Sequence, residues 1–554
     1  MEKYEKEKND YKHKSHKRKT QNEKKTQKIE KEKDYYQKKR TKTKNKINYY
    51  DYQPLKAIPE IDNPSTEEKN GWLANLYENN QFQQQKIIKM NQEYYSQHCP
   101  YLDTIDRSRL DFDFEKVCSV TLSSVNVYGC LVCGKYLQGR GAGSCAFLHS
   151  LELEHHVFIN LKTGKVYCLP DDYEVDDPSL NDIKYFLKPI YNQEQITKLD
   201  QSAILKRAFD GTSYIPGFVG LNNIKRTDWL NVSIQALVHV NLIRDFFISI
   251  ENTEKSSLLV ETFGELTRKI WNSQNFRGHV SPHELLQVIR TASAKKFEMG
   301  PNYDPFDFLT WFLNSLNFDI LKKNRTKSTV ITEAFQGKLK INTQKYSSAK
   351  QNETDPQNSP VVSNTPFFFL SLDLPPLPLF PDNSKKNIIP QVPIYNLLKK
   401  YDGISFHDLP VRREKRQYVI TKLPRFLLVH IRRFSKNFWF EEKNNTIVNF
   451  PERKRERKEK EKEKEKNDSD SDSDSDDDSD DENSSISFSR YHLIANICHD
   501  GPSPKEGKLK IHLLNKNLGK WFEFDDLDVK EVIPQMVAVS EAYIQIYQLD
   551  DPKI

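Results

Sequence analysis

Apolar residues recur at helical spacing in two segments near the middle of the chain. In 229–240 and 280–292 they return every three or four positions, which is the period of one face of an α-helix. Further along, the pattern changes to short apolar runs at 426–434, 491–497 and 542–547, as is typical of strands. Helices followed by strands predict an α+β domain.

Two long segments lack such a pattern. The first 50 residues repeat Lys, Glu, Gln and Thr with few aliphatic side chains, and 452–485 alternates Lys and Glu before a Ser/Asp run. Such sequences bury too little apolar surface to offset the entropy lost on folding. We therefore predict a disordered basic arm over residues 1–95 and a disordered charged insertion over 452–485. Because strand-like sequence flanks the insertion, it is expected to loop out of a folded domain.

The remaining sequence forms two regions, 96–200 and 205–550, which we expect to fold as separate domains. Charged residues make up 29% of the chain, and 31 Phe and 26 Tyr are available to fill a core. The net charge of +6 favours no class of partner. Basic clusters in the arm, at 17–19 and 38–40, are consistent with nuclear import, with RNA phosphate contacts or with a solvated tail.

Targeting and membrane signals are missing from the pattern. No apolar run follows Met1, and no stretch approaches the roughly 20 apolar residues of a membrane helix. We therefore expect a reducing intracellular compartment and no membrane. In that compartment, Cys and His clustered in sequence indicate a metal site instead of disulfides.

The Cys and His residues concentrate in the first folded region. Cys130 and Cys133 form a CxxC pair followed by Gly134, and two histidines follow downstream. Two thiolates and two imidazoles suit tetrahedral Zn²⁺ and leave no open coordination position, so we predict one structural zinc ion that supports folding of a small domain. The predicted ligands are Cys130, Cys133, His149 and His155. Five further candidates remain open: His156, Cys145, Cys118, Cys99 and Cys168.

Around these ligands the sequence resembles the UBP-type zinc finger, through 130–136, Gly139-Arg140-Gly141 and 145–149. The resemblance implies bound zinc and, in many members, a site for the free carboxyl tail of ubiquitin that uses an Arg and aromatic residues. Arg140 and Tyr167 occupy two of those positions. Leu169 replaces an expected Tyr, which argues against ubiquitin binding by this finger.

The second region opens with a run that resembles the cysteine box of ubiquitin-specific proteases, where Gly-Asn-Thr-Cys precedes an amphipathic helix. Asn223, Thr227 and Asn231 match, but Asp228 occupies the position of the nucleophile. The helix amino terminus that would activate a thiol also suits a carboxylate. A carboxylate cannot form the thioester intermediate, so Asp228 has a structural interpretation and no catalytic one.

The histidine box gives the same result. Lys508 stands where the resemblance places the catalytic His, while Asp525 matches the residue that would orient it. An orienting carboxylate alone catalyses nothing. A substitute pair would need Cys498: its neighbour His499 points to the opposite face of a strand, and His512 lies nearby.

The resemblance covers about 99–547 and implies a papain-like fold with thumb, palm and fingers. Runs at 99–105, 167–171 and 540–546 resemble the catalytically inactive, spliceosomal branch of this family, the Sad/SR-related tri-snRNP assembly proteins. This branch implies a nuclear, non-catalytic scaffold in pre-mRNA splicing that assembles or stabilises the tri-snRNP. Its expected partners are snRNP proteins, with snRNA contacted through the basic arm. The alternatives are a ubiquitin-binding protein and a residual cysteine-type deubiquitinase.

Overall fold

The computed structural model describes residues 99–201, 204–250, 257–324, 328–345, 361–376, 389–409, 413–436, 441–450 and 490–550. The predicted basic arm (1–95) and charged insertion (452–485) lie outside these residues. Within the described ranges, no helix combines the length and the apolar composition that a membrane span requires.

The described residues form eleven α-helices. They are α1 Cys145–Glu152, α2 Asn181–Leu187, α3 Gln193–Lys198, α4 Asp228–Val238, α5 Asn241–Ser249, α6 Leu258–Ile270, α7 His283–Ala292, α8 Pro305–Asn324, α9 Val330–Phe335, α10 Ile394–Leu398 and α11 Pro534–Ala538.

The same residues form 24 strands, several of them only two or three residues long. They are β1 Val127–Cys130, β2 Tyr136–Gln138, β3 Val157–Asn160, β4 Val166–Cys168, β5 Tyr173–Val175, β6 Lys206–Arg207, β7 Ser213–Tyr214, β8 Gly220–Leu221, β9 His279–Val280, β10 Gly337–Lys345, β11 Val361–Phe367, β12 Phe369–Asp373, β13 Gln391–Pro393, β14 Asp402–Leu409, β15 Glu414–Lys422, β16 Phe426–Arg432, β17 Phe434–Lys436, β18 Glu441–Lys443, β19 Ile447–Asn449, β20 Tyr491–Ser503, β21 Glu506–Asn515, β22 Lys520–Asp525, β23 Asp528–Val532 and β24 Ala542–Leu549.

The first region is built on a five-stranded antiparallel sheet in the order β2-β1-β3-β4-β5. Its core includes Leu110, Phe112 and Ile159, all buried. Phe276, which comes from the second region, enters this core and stacks on Phe186 with ring centroids 4.2 Å apart. The small sheet therefore completes its core with a residue from the larger region.

A buried ion pair joins the same two regions. The Lys269 ammonium in α6 donates to Oδ1 of Asp113 (2.9 Å) and to the carbonyl oxygen of Phe112 (3.1 Å). Oδ2 of Asp113 accepts from the N–H of Ser281 at 3.0 Å. Burial alone would lower the pKa of Lys269, but the Asp113 carboxylate raises it above its ordinary value, so the pair stays charged.

Helices dominate 228–335 and strands dominate 337–549, as the sequence pattern predicts. Helix α4 is buried along its whole length, so apolar side chains surround it. The second predicted helix begins at His283 instead of 280, because Val280 belongs to the short strand β9 and Pro282 lies directly before the helix.

The larger sheet has seven strands in the order β12-β16-β24-β20-β21-β22-β23. It includes all three predicted strand segments, and only the β12–β16 pair is parallel among these described strands. Ile497, Ile511 and Phe524 pack on the side of the helices, in the same core as Trp229. A separate four-stranded sheet, β11-β10-β15-β14, carries the remaining long strands. This mixture of helices and sheets confirms the α+β class.

Candidate functional site

The four predicted metal ligands converge in the first region. One donor atom from each of Cys130, Cys133, His149 and His155 lies within 4.8 Å of every other. The Sγ of Cys130 is 3.6 Å from Nδ1 of His155, the Sγ of Cys133 is 3.4 Å from Nε2 of His149, and the two ring nitrogens are 3.0 Å apart. Zinc–ligand bonds of about 2.0–2.3 Å in a tetrahedron place neighbouring donors about 3.3–3.8 Å apart, so the donor set fits Zn²⁺.

The backbone explains why these donors meet. Cys130 ends β1, and its N–H donates to the carbonyl of Lys135 as the chain turns back into β2. Gly134 takes a φ of +76°, and a Cβ there would lie 2.5 Å from the carbonyl oxygen of Arg109, so glycine alone fits this turn. Helix α1 supplies His149 and the segment before β3 supplies His155.

The five open candidates lie outside this four-residue cluster within the described ranges. The Nδ1 of His156 lies 2.8 Å from the carbonyl oxygen of Leu169, and its ring lies 4.0 Å from that of Tyr101. Burial raises the pKa of the Cys145 thiol above its ordinary value, and the nearby Cys118 adds to this rise.

The arginine of the expected ubiquitin-tail site has a partner of its own. Nη1 of Arg140 lies 2.6 Å from Oδ1 of Asp172, and its guanidinium lies 4.2 Å above the ring of Tyr167. The guanidinium that would bind a ligand carboxylate is therefore already paired with a carboxylate of the same chain. Leu169, at the position of the expected Tyr, is fully buried.

Asp228 begins α4 and is buried, and it fastens this helix to the larger sheet. Its Oδ2 accepts a hydrogen bond from the N–H of Leu509 in β21, at 3.2 Å. Burial raises the pKa of Asp228 above its ordinary value, and the nearby Asp526 carboxylate adds to this rise. The position of the nucleophile therefore holds a structural contact between the two layers.

The loop before Asp228 keeps an unusual backbone although its side chains differ from the family pattern. Lys225 and Arg226 have φ of +54° and +63° and stand where the cysteine box has Gly-Asn. Gly and Asn are the residues that adopt this left-handed conformation most readily. Lysine and arginine adopt it here at a cost, so this loop is left-handed without the residues that favour that conformation.

The remaining positions of the triad are also paired with each other. The Lys508 ammonium lies 2.7 Å from Oδ2 of Asp525, and Lys510 lies 3.6 Å from the same oxygen. An ammonium has no lone pair with which to accept a proton from a nucleophile, which is the task of the histidine in the triad. This ion pair has the arrangement of an orienting carboxylate and its partner, but it lacks a group that can accept the proton.

A second acid next to the triad position ties the two layers together. Oδ2 of Asp526 accepts from Nδ2 of Asn223 and Oδ1 accepts from Nδ2 of Asn231, both at 2.8 Å. The carbonyl of Asp526 also accepts from the N–H of Leu221 at 2.9 Å. The matched asparagines of the cysteine box thus serve packing of the frame.

Elsewhere on the large sheet, strand register assembles a Cys-His-Glu row. The Sγ of Cys498 lies 3.5 Å from Nδ1 of His512, and Nε2 of His512 lies 3.2 Å from Oε2 of Glu523. Asn496 donates from Nδ2 to the same sulfur at 3.3 Å. Sequence reasoning had identified Cys498 and His512 but not Glu523, which faces His512 because β22 pairs with β21.

The protonation states of this row oppose nucleophilic chemistry. Burial raises the pKa of the Cys498 thiol to about 12 and lowers the pKa of His512 below its ordinary value. At neutral pH the sulfur is therefore a thiol and the ring is neutral. Since the thiolate is the reactive form, the row lacks the charge separation of an activated cysteine.

Comparison with known proteins matches both regions to family models. The model described as "Ubiquitin carboxyl-terminal hydrolase" matches residues 219–547, and "Zn-finger in ubiquitin-hydrolases and other protein" matches 118–180. The finger model implies zinc binding, in agreement with the Cys/His cluster.

Relatives match across both regions. "Ubiquitin carboxyl-terminal hydrolase 39" of Homo sapiens is 45% identical, over 82% of this chain and 80% of that protein. "Probable mRNA-splicing protein ubp10" of Schizosaccharomyces pombe is 39% identical, over 81% of this chain and 88% of that protein. A crystal structure of "an essential yeast splicing factor" aligns with a TM-score of 0.64 and 26% identity, over 81% of this chain and 100% of that one.

Proposed function

This chain belongs to the ubiquitin carboxyl-terminal hydrolase family, and from that premise we propose that it is a non-catalytic scaffold of pre-mRNA splicing. One observation carries the loss of catalysis: a buried carboxylate, Asp228, replaces the nucleophile and accepts a hydrogen bond from the N–H of Leu509. The histidine position holds Lys508, which is paired with Asp525. Together these contacts turn the reaction centre into a junction between α4 and β21.

Splicing as the process is supported by the relatives. The names of the fission-yeast relative and of the yeast structure both refer to splicing, and each aligns with more than four-fifths of this chain. We extend this role to assembly or stabilisation of the tri-snRNP, with snRNP proteins as partners in the nucleus. The basic arm is proposed to contact snRNA, since its lysines can neutralise phosphates.

The finger has a structural role in this proposal. One Zn²⁺ held by Cys130, Cys133, His149 and His155 would join β1, α1 and the segment before β3. Four protein ligands leave no coordination position for a substrate, so the ion would supply folding free energy. The proposed domains are the finger at 96–200 and the protease-like domain at 205–550.

Ubiquitin binding through the finger is disfavoured by the Arg140–Asp172 ion pair. A ligand carboxylate would have to displace Asp172 from the guanidinium before it could bind. The structure therefore gives no specific support to a ubiquitin reader as the second candidate.

The splicing assignment is tested with the tagged full chain isolated from nuclei, followed by sequencing of the bound RNA and identification of the bound proteins. We expect enrichment of the tri-snRNP snRNAs and their proteins over a tagged nuclear control. Isolation without snRNAs and without snRNP proteins would remove the assignment. A variant lacking residues 1–95 separates arm contacts from protein contacts: it should retain the snRNP proteins and retain less snRNA than the full chain.

A further inference from the structure

A groove of about 670 Å³ runs along the outward side of α8, and we call it the α8 groove. Trp311 lines it and also packs against the core, while Leu259 of α6 and Ala292 of α7 complete the apolar lining. Phe318 lies at the groove with 66% of its surface exposed. Ligand-binding clefts commonly enclose about 300–1,000 Å³ and are lined by apolar side chains, so this groove has the size of a binding site.

The aromatic residues follow the repeat of the helix that carries them. Trp311 and Phe318 are seven positions apart on α8, which is two turns or about 10.5 Å along the axis. A second helix laid along this groove would present its own side chains at the same repeat, at positions i, i+3 or i+4, and i+7. The groove therefore fits an amphipathic helix better than a compact small molecule.

Two acidic residues line the groove, one near each end of the Trp311–Phe318 pair. Asp307 lies one turn before Trp311, and Asp319 directly follows Phe318. Among the described residues, neither carboxylate forms an ion pair, although Asp319 accepts a hydrogen bond from the hydroxyl of Ser257. The lining contains one cation, Lys296, whose ammonium lies 5.1 Å from the ring centre of Phe297. The titratable lining thus carries a net charge of −1, which favours a cationic partner.

We propose that the α8 groove binds an amphipathic helical segment of a protein partner that presents bulky apolar side chains between Lys or Arg residues. The proposal rests on the proposed function, because a scaffold must hold its partners through surfaces other than a catalytic cleft. A nucleic acid is the disfavoured occupant, since its phosphates would face Asp307 and Asp319.

The test selects binders without assuming a sequence. A random 16-residue peptide library displayed on phage is panned against the full chain, and the enriched peptides are synthesised with a fluorescent label for anisotropy titration. We expect the enriched peptides to carry apolar residues at helical spacing, with Lys or Arg on either side of them. Phe318→Ser should weaken their binding at least tenfold, and Asp307→Lys should weaken it several-fold, more at low salt than at high salt.

Ile404→Ser is the matched control, because it removes a similarly exposed apolar side chain (78%) from strand β14. It should leave the binding unchanged. Failure to enrich any peptide, enrichment of acid-flanked peptides, or binding that survives Phe318→Ser would each overturn the proposal. Self-association of the chain that Phe318→Ser abolishes would also overturn it, because the occupant would then be a second copy.

Copurification with snRNAs and snRNP proteins is measured in parallel for the unaltered chain. If the peptides fail but snRNAs still copurify with the unaltered chain, the groove is wrong and the splicing assignment stands. If peptides bind as expected but no snRNA or snRNP protein copurifies, the groove stands and the splicing assignment is wrong.

Discussion

The finger and the reaction centre of the protease-like domain each require specific side chains to meet at one point. In this chain the finger has the required side chains, and the reaction centre does not. In the finger, four donor atoms lie within 4.8 Å of one another and fit one ion. In the protease-like domain, the residues at the triad positions are bound to other partners, Asp228 to the N–H of Leu509 and Lys508 to Asp525. One site retains a ligand set suited to its metal, whereas the other retains only its framework.

This difference shows which residues depend on chemistry and which depend on the fold. The asparagines of the cysteine box, Asn223 and Asn231, donate hydrogen bonds to Asp526. The loop between them has a left-handed backbone conformation. These contacts hold α4 against the sheet whether or not a thiol is present. We expect a ligand lost from the finger to have no such substitute, since metal binding supplies folding free energy in small zinc domains.

The largest expected effect is loss of the metal site. Cys130→Ser removes one of four ligands, and metal binding in small zinc domains is worth roughly 10–16 kcal/mol. We expect the zinc content, measured by mass spectrometry of the purified chain, to fall from about one ion per chain to well below one, with faster proteolysis within 99–200. Cys118→Ser, outside the ligand cluster, is the matched control and should keep its zinc. Unchanged zinc in Cys130→Ser would refute the ligand set.

The next effect concerns the ion pair that fastens the finger to the helices. Lys269→Met leaves the Asp113 carboxylate buried without its cation, which costs about 3–5 kcal/mol for buried pairs. Urea unfolding of the full chain measures the loss. The double variant Lys269→Met/Asp113→Leu should recover part of it, because no unpaired charge remains. Equal losses in the single and double variants would mean that the pair contributes nothing as a pair.

A smaller effect is expected at the former nucleophile position. Asp228→Ala leaves the N–H of Leu509 without an acceptor, which costs about 1–3 kcal/mol when the group is buried. Asp228→Asn keeps an acceptor oxygen and removes the buried charge. It should therefore be at least as stable as the unaltered chain at pH 7, as judged by urea midpoints.

The pH dependence of that result follows from the raised pKa of Asp228. The folded state holds the proton more tightly than the unfolded state, so the carboxyl contributes stability below its unfolded pKa and loses that contribution as pH rises through the folded pKa. The advantage of Asp228→Asn should shrink between pH 7 and pH 4. An Asn variant as unstable as Ala at pH 7 would contradict a structural role for the acceptor.

Much of the frame could be predicted from local patterns. Apolar spacing located α4 and the strands β16, β20 and β24, because each is a continuous segment with its own periodicity. The metal ligands were predictable because CxxC and two spaced histidines are a compact signal, and the structure brings them together. The family resemblance is confirmed by the matched models and relatives.

The contacts that sequence reasoning missed join residues far apart in the chain. Arg140 meets Asp172 across 32 residues, and Lys269 meets Asp113 across 156. Glu523 reaches His512 only through the register of β21 and β22. The backbone of Lys225 and Arg226 was also not predictable, because neither residue favours positive φ. In each case the tertiary structure, not local preference, sets the geometry.

Hydrolysis of a fluorogenic ubiquitin substrate tests the central claim, that the frame of the protease remains and its chemistry is lost. The purified full chain is assayed at pH 7.5 beside Cys498→Ala, since Cys498 has the only Cys-His-Glu arrangement among the described residues. We expect both proteins to release fluorophore at the rate of buffer alone. Turnover by the unaltered chain that Cys498→Ala abolishes would contradict the account, and would assign the chain a cysteine-type activity at a new position.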